Sequence, residues 1–242
     1  MTMRFDLALV TRGLCDTRSR AKMCICEGHA AINGIVCTKP AQPIAESDVL
    51  EITEALPFVG RGGLKLAHAL TQFKISPKGL QCLDIGASTG GFTDCMLQNG
   101  AAHVLAVDVG HDQLAEVLRR DPRVTVMEGT DIRSLAPDSK GLPAAFASCD
   151  VSFISLTYIL PLLPPLLTSG AMAVLLVKPQ FEAGRKAIGK NGIVRDSKVH
   201  AQVLRNIRDA AVQVGLIPIA DCPSPIAGGS GNTEFLLLLQ KP

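Results

Sequence analysis

A glycine-rich turn between Leu83 and Thr93 is the segment best suited to hold a ligand. The sequence LDIGASTGGFT joins an apolar stretch to a predicted helix. Glycines let the backbone approach a bound molecule closely, and the following helix start presents N–H groups without intrahelical partners. The spacing is G-x-x-x-G-G, which differs from the G-x-G-x-x-G dinucleotide fingerprint. The turn alone therefore predicts a nucleoside-type cofactor.

Carboxylates near this turn narrow the choice of cofactor. Asp108 ends the next predicted strand about 20 residues further on, where a ribose-binding acid is expected. Asp131 follows the third strand and could accept a hydrogen bond from an adenine amino group. The turn contains no Lys or Arg for a phosphate, and S-adenosylmethionine (SAM) offers a sulfonium, an ammonium and ribose hydroxyls instead. The predicted SAM-binding residues are Asp84, Gly86, Ala87, Ser88, Thr89, Gly90, Gly91, Phe92, Asp108, Val109, Asp131 and Ile132.

Short apolar strands alternate with helices from residue 79 onward. The expected strands are 81–85, 103–107, 124–128, 145–150, 171–178, 216–220 and 234–239. The expected helices are 64–73, 91–99, 113–120, 158–167 and 198–214, with prolines distorting the fourth. Such alternation predicts an α/β fold with a mostly parallel sheet and helices on both faces.

The first 56 residues predict a separate, small α+β unit. Helices at 6–13 and 18–27 precede strands at 30–32, 35–38 and 48–52. A glycine-rich stretch at 57–63 predicts a linker. We therefore expect a small domain over residues 1–56, the linker, and a larger domain over 64–242.

Basic residues are concentrated in the small unit, although the formal net charge is only +2. Residues 1–40 contain six Lys or Arg residues and three acidic residues. This excess could bind the phosphates of a nucleic acid. On charge alone, a solvated basic face is the commoner explanation.

The eight cysteines are scattered and follow no signal peptide, so we expect reduced thiols in a cytoplasmic protein. Cys24, Cys26, His29 and Cys37 lack the usual spacing of a zinc site, and no metal is predicted.

The apolar stretch 153–167 contains prolines and is too short to span a membrane, so no membrane partner is expected.

Longer motifs resemble the TlyA family of ribosomal RNA 2′-O-ribose methyltransferases, often labelled haemolysin A. The larger domain also resembles the wider FtsJ-like group, and the small unit resembles an S4 RNA-binding domain. The resemblance covers essentially the whole chain and implies a Rossmann-like methyltransferase with a seven-stranded sheet whose last strand is antiparallel. Its motifs are RGGLKL (61–66), DIGASTGGFTDCM (84–96), DVSFISL (150–156), VKPQFE (177–182), GNTEFL (231–236), and, in the small unit, TRSRAK (17–22) and ING (32–34).

The same resemblance implies which residues act. The FtsJ-like Lys-Asp-Lys-Glu tetrad falls on Lys65, Asp150, Lys178 and Glu234. Lys178 is the candidate base for a ribose 2′-hydroxyl, and the sequence leaves open whether it takes the proton or only orients the hydroxyl. The residues expected to bind RNA are Arg4, Arg18, Ser19, Arg20, Lys22 and Arg61.

The implied reaction is SAM-dependent 2′-O-methylation of cytidine in ribosomal RNA, within assembled subunits. The chain resembles the shorter family members, which implies the large subunit. Three alternatives are a SAM enzyme with a small-molecule substrate, a non-catalytic RNA-binding or ribosome-assembly factor, and a membrane-active haemolysin. The basic small unit speaks against the first, the intact tetrad against the second, and the absence of a spanning or strongly basic amphipathic segment against the third.

Overall fold

The computed structural model describes residues 2–54, 56–184, 187–189, 192–228 and 231–242. The chain forms two compact units, Met1–Arg61 and Gly62–Pro242. Each unit has its own apolar core: Phe5, Leu9 and Ile25 are fully buried in the first, as are Leu83 and Leu105 in the second.

Two helices and five short strands build the N-terminal unit. Thr17 accepts the Arg20 N–H at 3.2 Å, so the second helix begins where the sequence predicts. The pairing of β1 with β4 was not predicted, because two-residue strands are too short to show alternation. The elements are β1 (Met3–Arg4), α1 (Phe5–Thr11), α2 (Arg18–Cys26), β2 (Ala30–Ile32), β3 (Ile35–Val36), β4 (Pro43–Ile44) and β5 (Leu50–Ile52).

A seven-stranded sheet forms the centre of the larger unit. Its strands are β6 (Gln81–Ile85), β7 (His103–Val107), β8 (Val124–Met127), β9 (Ala144–Cys149), β10 (Leu167–Val177), β11 (Ile217–Pro223) and β12 (Phe235–Gln240). Their order is β11-β12-β10-β9-β6-β7-β8. β12 is antiparallel to both of its neighbours, and the remaining pairs are parallel. The predicted sheet is therefore confirmed.

The helices of the larger unit depart from prediction in three places. The helix expected over 113–120 is shortened to α5 (Glu116–Arg119), and the one expected over 158–167 is broken by prolines into two 3₁₀ turns and α6 (Leu163–Leu166). The short helix α7 (Pro179–Glu182) was not predicted. In the described part of the chain, no helix is both long and apolar enough to cross a membrane. The helices are α3 (Gly62–Phe73), α4 (Gly91–Gln98), α5 (Glu116–Arg119), α6 (Leu163–Leu166), α7 (Pro179–Glu182) and α8 (Ser197–Gln213).

The sheet brings the chemically important residues to one edge. Parallel strands end at the same side, so the residues that follow β6, β7, β9 and β10 lie along that edge. β12 runs the other way, and its first residue, Phe235, pairs with Val177 at the end of β10. Glu234, just before β12, and Lys178, just after β10, therefore lie next to each other's strands at the same edge.

Candidate active site

The glycine-rich turn connects β6 to α4 and lies against the end of β9. The N–H groups of Gly86 and Ala87 donate to the Val107 carbonyl at 2.8 and 3.1 Å. Gly86 has a φ of 80°, and a Cβ at this position would lie 2.6 Å from the Asp150 carbonyl oxygen. A side chain here would therefore push the turn away from Asp150.

A cavity of about 360 Å³ opens beside this turn, which is within the usual range for small-molecule sites. Its walls combine apolar side chains with three carboxylates, and these hydrogen-bond acceptors suit a cationic nucleoside such as SAM. The predicted residues that line it are Gly86, Ser88, Asp108, Val109, Asp131, Ile132 and Asp150. The predicted residues outside its lining are Asp84, Ala87, Thr89, Gly90, Gly91 and Phe92, which build the strand, turn and helix next to it.

Asp108 reaches the cavity with both carboxylate oxygens already accepting main-chain hydrogen bonds. Oδ2 accepts the Ser88 N–H at 2.8 Å, and Oδ1 accepts the Gly110 N–H at 2.7 Å. A carboxylate oxygen can accept more than one hydrogen bond, so ribose hydroxyls could still bind. These contacts orient Asp108 toward the turn before any ligand arrives.

Asp131 is held as an anion beside the same cavity. The Arg133 guanidinium donates to it, with Nε 3.0 Å from Oδ1, and holds the pKa of Asp131 at about 2. Asp131 also accepts the main-chain N–H of Arg133, which fixes the short turn after β8. The carboxylate is therefore fixed and charged where an amino group could donate to it.

Asp84 occupies a different place from the other predicted SAM-binding residues. It is fully buried beneath the turn, where Thr93 Oγ1 donates to Oδ2 at 2.6 Å and Ser148 Oγ donates to Oδ1 at 2.8 Å. Burial raises the pKa of Asp84 to about 6. Asp84 thus joins α4 and β9 to β6 and supports the turn from below, which differs from the direct contact expected from the sequence.

The predicted tetrad forms two ion pairs. Lys65 Nζ lies 2.6 Å from Glu234 Oε2, and Lys178 Nζ lies 2.6 Å from Asp150 Oδ1. Both lysines are 8% exposed, so each amine lies beside a carboxylate in a largely dry environment. Removing one partner of such a buried pair would leave the other without compensation.

The packing of α3 links the two ion pairs. Gly62 lies one helical turn before Lys65, and a Cβ at Gly62 would be 3.9 Å from Asp150 Oδ2. Glu234, the partner of Lys65, precedes the strand that pairs with the end of β10. The four predicted catalytic residues therefore converge on one edge of the sheet.

Two residues of this site were missed by sequence analysis. Ser152 Oγ accepts a hydrogen bond from Lys178 at 2.8 Å and lines the cavity. Glu182 accepts hydrogen bonds from Ser155 Oγ at 2.6 Å and from the Leu156 N–H at 2.8 Å, which holds the loop after Asp150. Both lie inside the DVSFISL and VKPQFE motifs, so the motifs themselves were the available signal.

The predicted RNA-binding residues of the N-terminal unit fall into two groups. Arg4 and Arg18 each place Nε 2.9 Å from the buried Asp6, and Arg61 lies 3.1 Å from Glu27. Among the described residues, neither Arg20 nor Lys22 has an ion-pair partner. Ser19 and Lys22 are exposed on α2. The second group is therefore the one whose charge is available to a partner.

Comparison with known proteins assigns both units. Residues 58–241 match the FtsJ-like methyltransferase family, and residues 3–50 match the S4 domain, which confirms the S4 resemblance. YqxC of Bacillus subtilis (strain 168), described as a candidate rRNA methyltransferase, is 51% identical over 99% of this chain and 86% of its own length.

Other relatives carry more specific names. The 16S/23S rRNA (cytidine-2′-O)-methyltransferase TlyA of Mycobacterium tuberculosis is 41% identical, covering 98% of this chain and 89% of that protein. The 23S rRNA (cytidine-2′-O)-methyltransferase TlyA of Campylobacter jejuni is 32% identical, covering 96% and 97%. A solved structure from Streptococcus thermophilus, described as a candidate hemolysin, has a TM-score of 0.79 at 48% identity, covering 99% of this chain and 88% of that one. The chain therefore belongs to the TlyA family of SAM-dependent, FtsJ-like methyltransferases with an N-terminal S4 domain.

Proposed function

We propose that this protein transfers a methyl group from SAM to the 2′-hydroxyl of a cytidine in ribosomal RNA of the large subunit. The observation that carries the proposal is that two buried ion pairs, Lys65–Glu234 and Lys178–Asp150, lie beside the cofactor cavity. One TlyA relative is named for cytidine 2′-O-methylation of both 16S and 23S rRNA, and another for 23S rRNA alone. We further propose that the substrate is the assembled subunit, which makes the cytoplasm the site of action.

The cavity beside the glycine-rich turn is the proposed SAM site. SAM would supply an electrophilic methyl group, its methyl–sulfur bond breaking to leave S-adenosylhomocysteine, and the residues of this chain would hold it in place. Asp108 would accept hydrogen bonds from the ribose hydroxyls, and Asp131 from the adenine amino group. The close approach of Gly86 to Asp150 brings this site next to the tetrad.

Lys178 is the proposed acceptor of the proton from the ribose 2′-hydroxyl. As the new oxygen–carbon bond forms, the oxygen–hydrogen bond must break and its proton must be taken up. A neutral Lys178 amine would accept it, and Asp150 would stabilise the resulting ammonium at 2.6 Å. Ser152 fixes the direction of the amine. Lys65 and Glu234 would complete the charge balance around the nucleophile.

The S4 unit is the proposed RNA-binding surface. Arg20 and Lys22 on α2 would contact phosphates, and Arg4 and Arg18 would contribute less because Asp6 offsets part of their charge. Contacts of this kind position an RNA without selecting a sequence. The choice of nucleotide therefore has to come from the larger unit and from the shape of the substrate.

The direct test uses ribosomal subunits from cells that lack this protein. Purified full-length protein and labelled SAM are added to small and large subunits, and the modified nucleotide is mapped. We expect label at one cytidine 2′-oxygen of large-subunit RNA. Label on small-subunit RNA alone, on a base, or on no RNA would contradict the proposal.

Substitutions at Lys178 test the catalytic assignment. Lys178→Ala should bind SAM normally in calorimetry and lose at least about 100-fold in methyl transfer, the usual contribution of a general base. Lys178→Arg keeps the positive charge but cannot act as a base at neutral pH, so it should be equally inactive. Lys140→Ala, at an exposed position, is the matched control. Substantial activity of Lys178→Arg would show that the residue orients the hydroxyl without taking its proton.

A further inference from the structure

Glu128, just after β8, organises the loop that follows Asp108. Its carboxylate accepts three consecutive main-chain N–H groups, from Asp112 at 3.0 Å and from Gln113 and Leu114 at 2.8 Å each. Arg119 Nη2 lies 2.6 Å from Oε2, which completes the set of donors. The Glu128 side chain is only 12% exposed.

The helix predicted over 113–120 begins late because the backbone before it is not helical: Asp112 has a φ of 53° and Ala115 is extended, so α5 begins only at Glu116. The N–H groups of residues 112–114 point at the Glu128 carboxylate, which holds this loop in place. Burial opposes ionisation of Glu128, but Arg119 and the main-chain donors lower its pKa to about 2. The loop is therefore built around a permanent negative charge.

The same loop forms one wall of the SAM cavity. Gln113 lines the cavity and its Oε1 accepts a hydrogen bond from Ser88 Oγ at 3.2 Å. Asp108 reaches the loop through the Gly110 N–H, and the Gly129 N–H donates to the Gly110 carbonyl at 2.8 Å. Glu128 is outside the cavity lining but adjoins both Gly129 and the loop.

We infer that Glu128 is a positioning residue for SAM binding, which holds the 109–114 loop so that Asp108 and Gln113 face the cofactor. The inference rests on the proposed use of the cavity beside the glycine-rich turn. Glu128 itself touches no reacting group. Its removal should therefore weaken SAM binding and leave the chemical step intact.

Glu128→Gln is the primary test. The amide nitrogen of Gln would replace one carboxylate oxygen, so a group that donates hydrogen bonds would face main-chain N–H groups that also donate. Calorimetry with SAM and with S-adenosylhomocysteine on the full chain should show Kd raised about tenfold. With large subunits as substrate, KM for SAM should rise similarly, while kcat at saturating SAM stays within about twofold. A merely structural role would lower kcat and RNA binding together with SAM affinity.

Glu116→Gln is the matched control. Glu116 also pairs with Arg119, at 3.9 Å, but its side chain is 62% exposed, and it pairs with the Arg120 side chain as well. It should leave SAM affinity unchanged. If Glu128→Gln does not fold, Arg119→Ala keeps the carboxylate and its three main-chain donors, and should raise Kd about threefold.

Two results would overturn the inference: wild-type SAM affinity in Glu128→Gln, or a fall in kcat at saturating SAM as large as the rise in KM. The first result does not depend on the RNA substrate being correct, because the affinity is measured without RNA, whereas the second requires large subunits that the wild-type protein methylates. Conversely, a wild-type protein that binds SAM but methylates no ribosomal RNA would contradict the proposed function and leave the role of Glu128 standing.

Discussion

Two fully buried carboxylates, Asp6 in the N-terminal unit and Asp84 in the larger unit, have pKa values shifted in opposite directions. Asp6 faces the guanidinium groups of Arg4 and Arg18, whose hydrogen bonds and charges lower its pKa to about 2 against the effect of burial. Asp84 faces the hydroxyls of Thr93 and Ser148, and burial raises its pKa to about 6. Neither side chain is accessible to solvent, and the shifts differ in sign because the hydrogen bond and charge of the arginines dominate at Asp6, whereas desolvation dominates at Asp84.

The sign of each shift determines how the two units respond to pH. The folded state holds the proton of Asp84 more tightly than the unfolded state does, so stability falls as pH rises from about 4 to about 6. Asp6 binds its proton less tightly when folded, so its stabilisation is present above about pH 4 and is lost toward pH 2. Asp6 secures its unit through charge, whereas Asp84 secures the SAM turn through hydrogen bonds.

The largest expected effect is that of Asp84→Ala. Two buried hydroxyls would lose their acceptor and a small cavity would remain, so we expect a loss of about 3 kcal/mol in the free energy of unfolding. Urea unfolding followed by the fluorescence of Tyr158, the single tyrosine in a chain without tryptophan, reports on this unit. Asp84→Asn preserves the shape and one acceptor, and should cost less than about 1 kcal/mol. Equal losses for both variants would show that the hydrogen bonds are not what holds the turn.

The pH dependence of Asp84→Asn gives a somewhat smaller effect. Ionisation of Asp84 should cost the wild-type protein on the order of 2–3 kcal/mol between pH 4 and pH 7. The variant cannot ionise, so its stability relative to wild type should improve steadily across this range. Urea midpoints at half-unit intervals of pH measure the difference. A flat difference curve would mean that Asp84 titrates at its ordinary pKa in the folded state.

The sequence predicts well the strand that contains Asp84 and its neighbour β7, because the signals for both strands are local. β6 and β7 occupy the predicted residues, since each is a short apolar run between turn residues. α5 departs from prediction: the apolar spacing of 113–120 favours a helix, but residues 112–115 form a loop around the Glu128 carboxylate, with Asp112 at a φ of 53° and Ala115 extended. Helical periodicity cannot reveal an acceptor that arrives from another strand.

The site shows the same division between local and distant information. Motifs identified the four tetrad residues, but nothing local to Lys65 indicates that its partner is Glu234, because that pairing depends on strand order. Likewise, the sequence places Arg18 among the RNA-binding residues, and only the structure shows that it forms an ion pair with Asp6. Asp84 and Asp108 both end strands, and only the fold places one below the turn and the other at the cavity.

The smallest expected effect is on the salt dependence of RNA binding. Each phosphate contact contributes about 0.7–0.9 to the slope of log K against log salt. Lys22→Ala should remove about one phosphate contact and therefore reduce the slope by about 0.7–0.9. Arg18→Ala should reduce it by less than half as much, since Asp6 already offsets the Arg18 charge. Filter binding of a large-subunit rRNA transcript at several salt concentrations measures both.

Asp6→Asn tests the same ion pairs from the side of the carboxylate, because it removes the negative charge that Arg4 and Arg18 share. If the pairing limits their contribution, the slope should steepen in Asp6→Asn, and Arg18→Ala in that background should then cost as much as Lys22→Ala. Lys39→Ala, exposed and outside α2, is the control for net charge and should change the slope least. Equal effects of Arg18→Ala and Lys22→Ala in the wild-type background would show that Asp6 does not withhold the arginine charge from RNA.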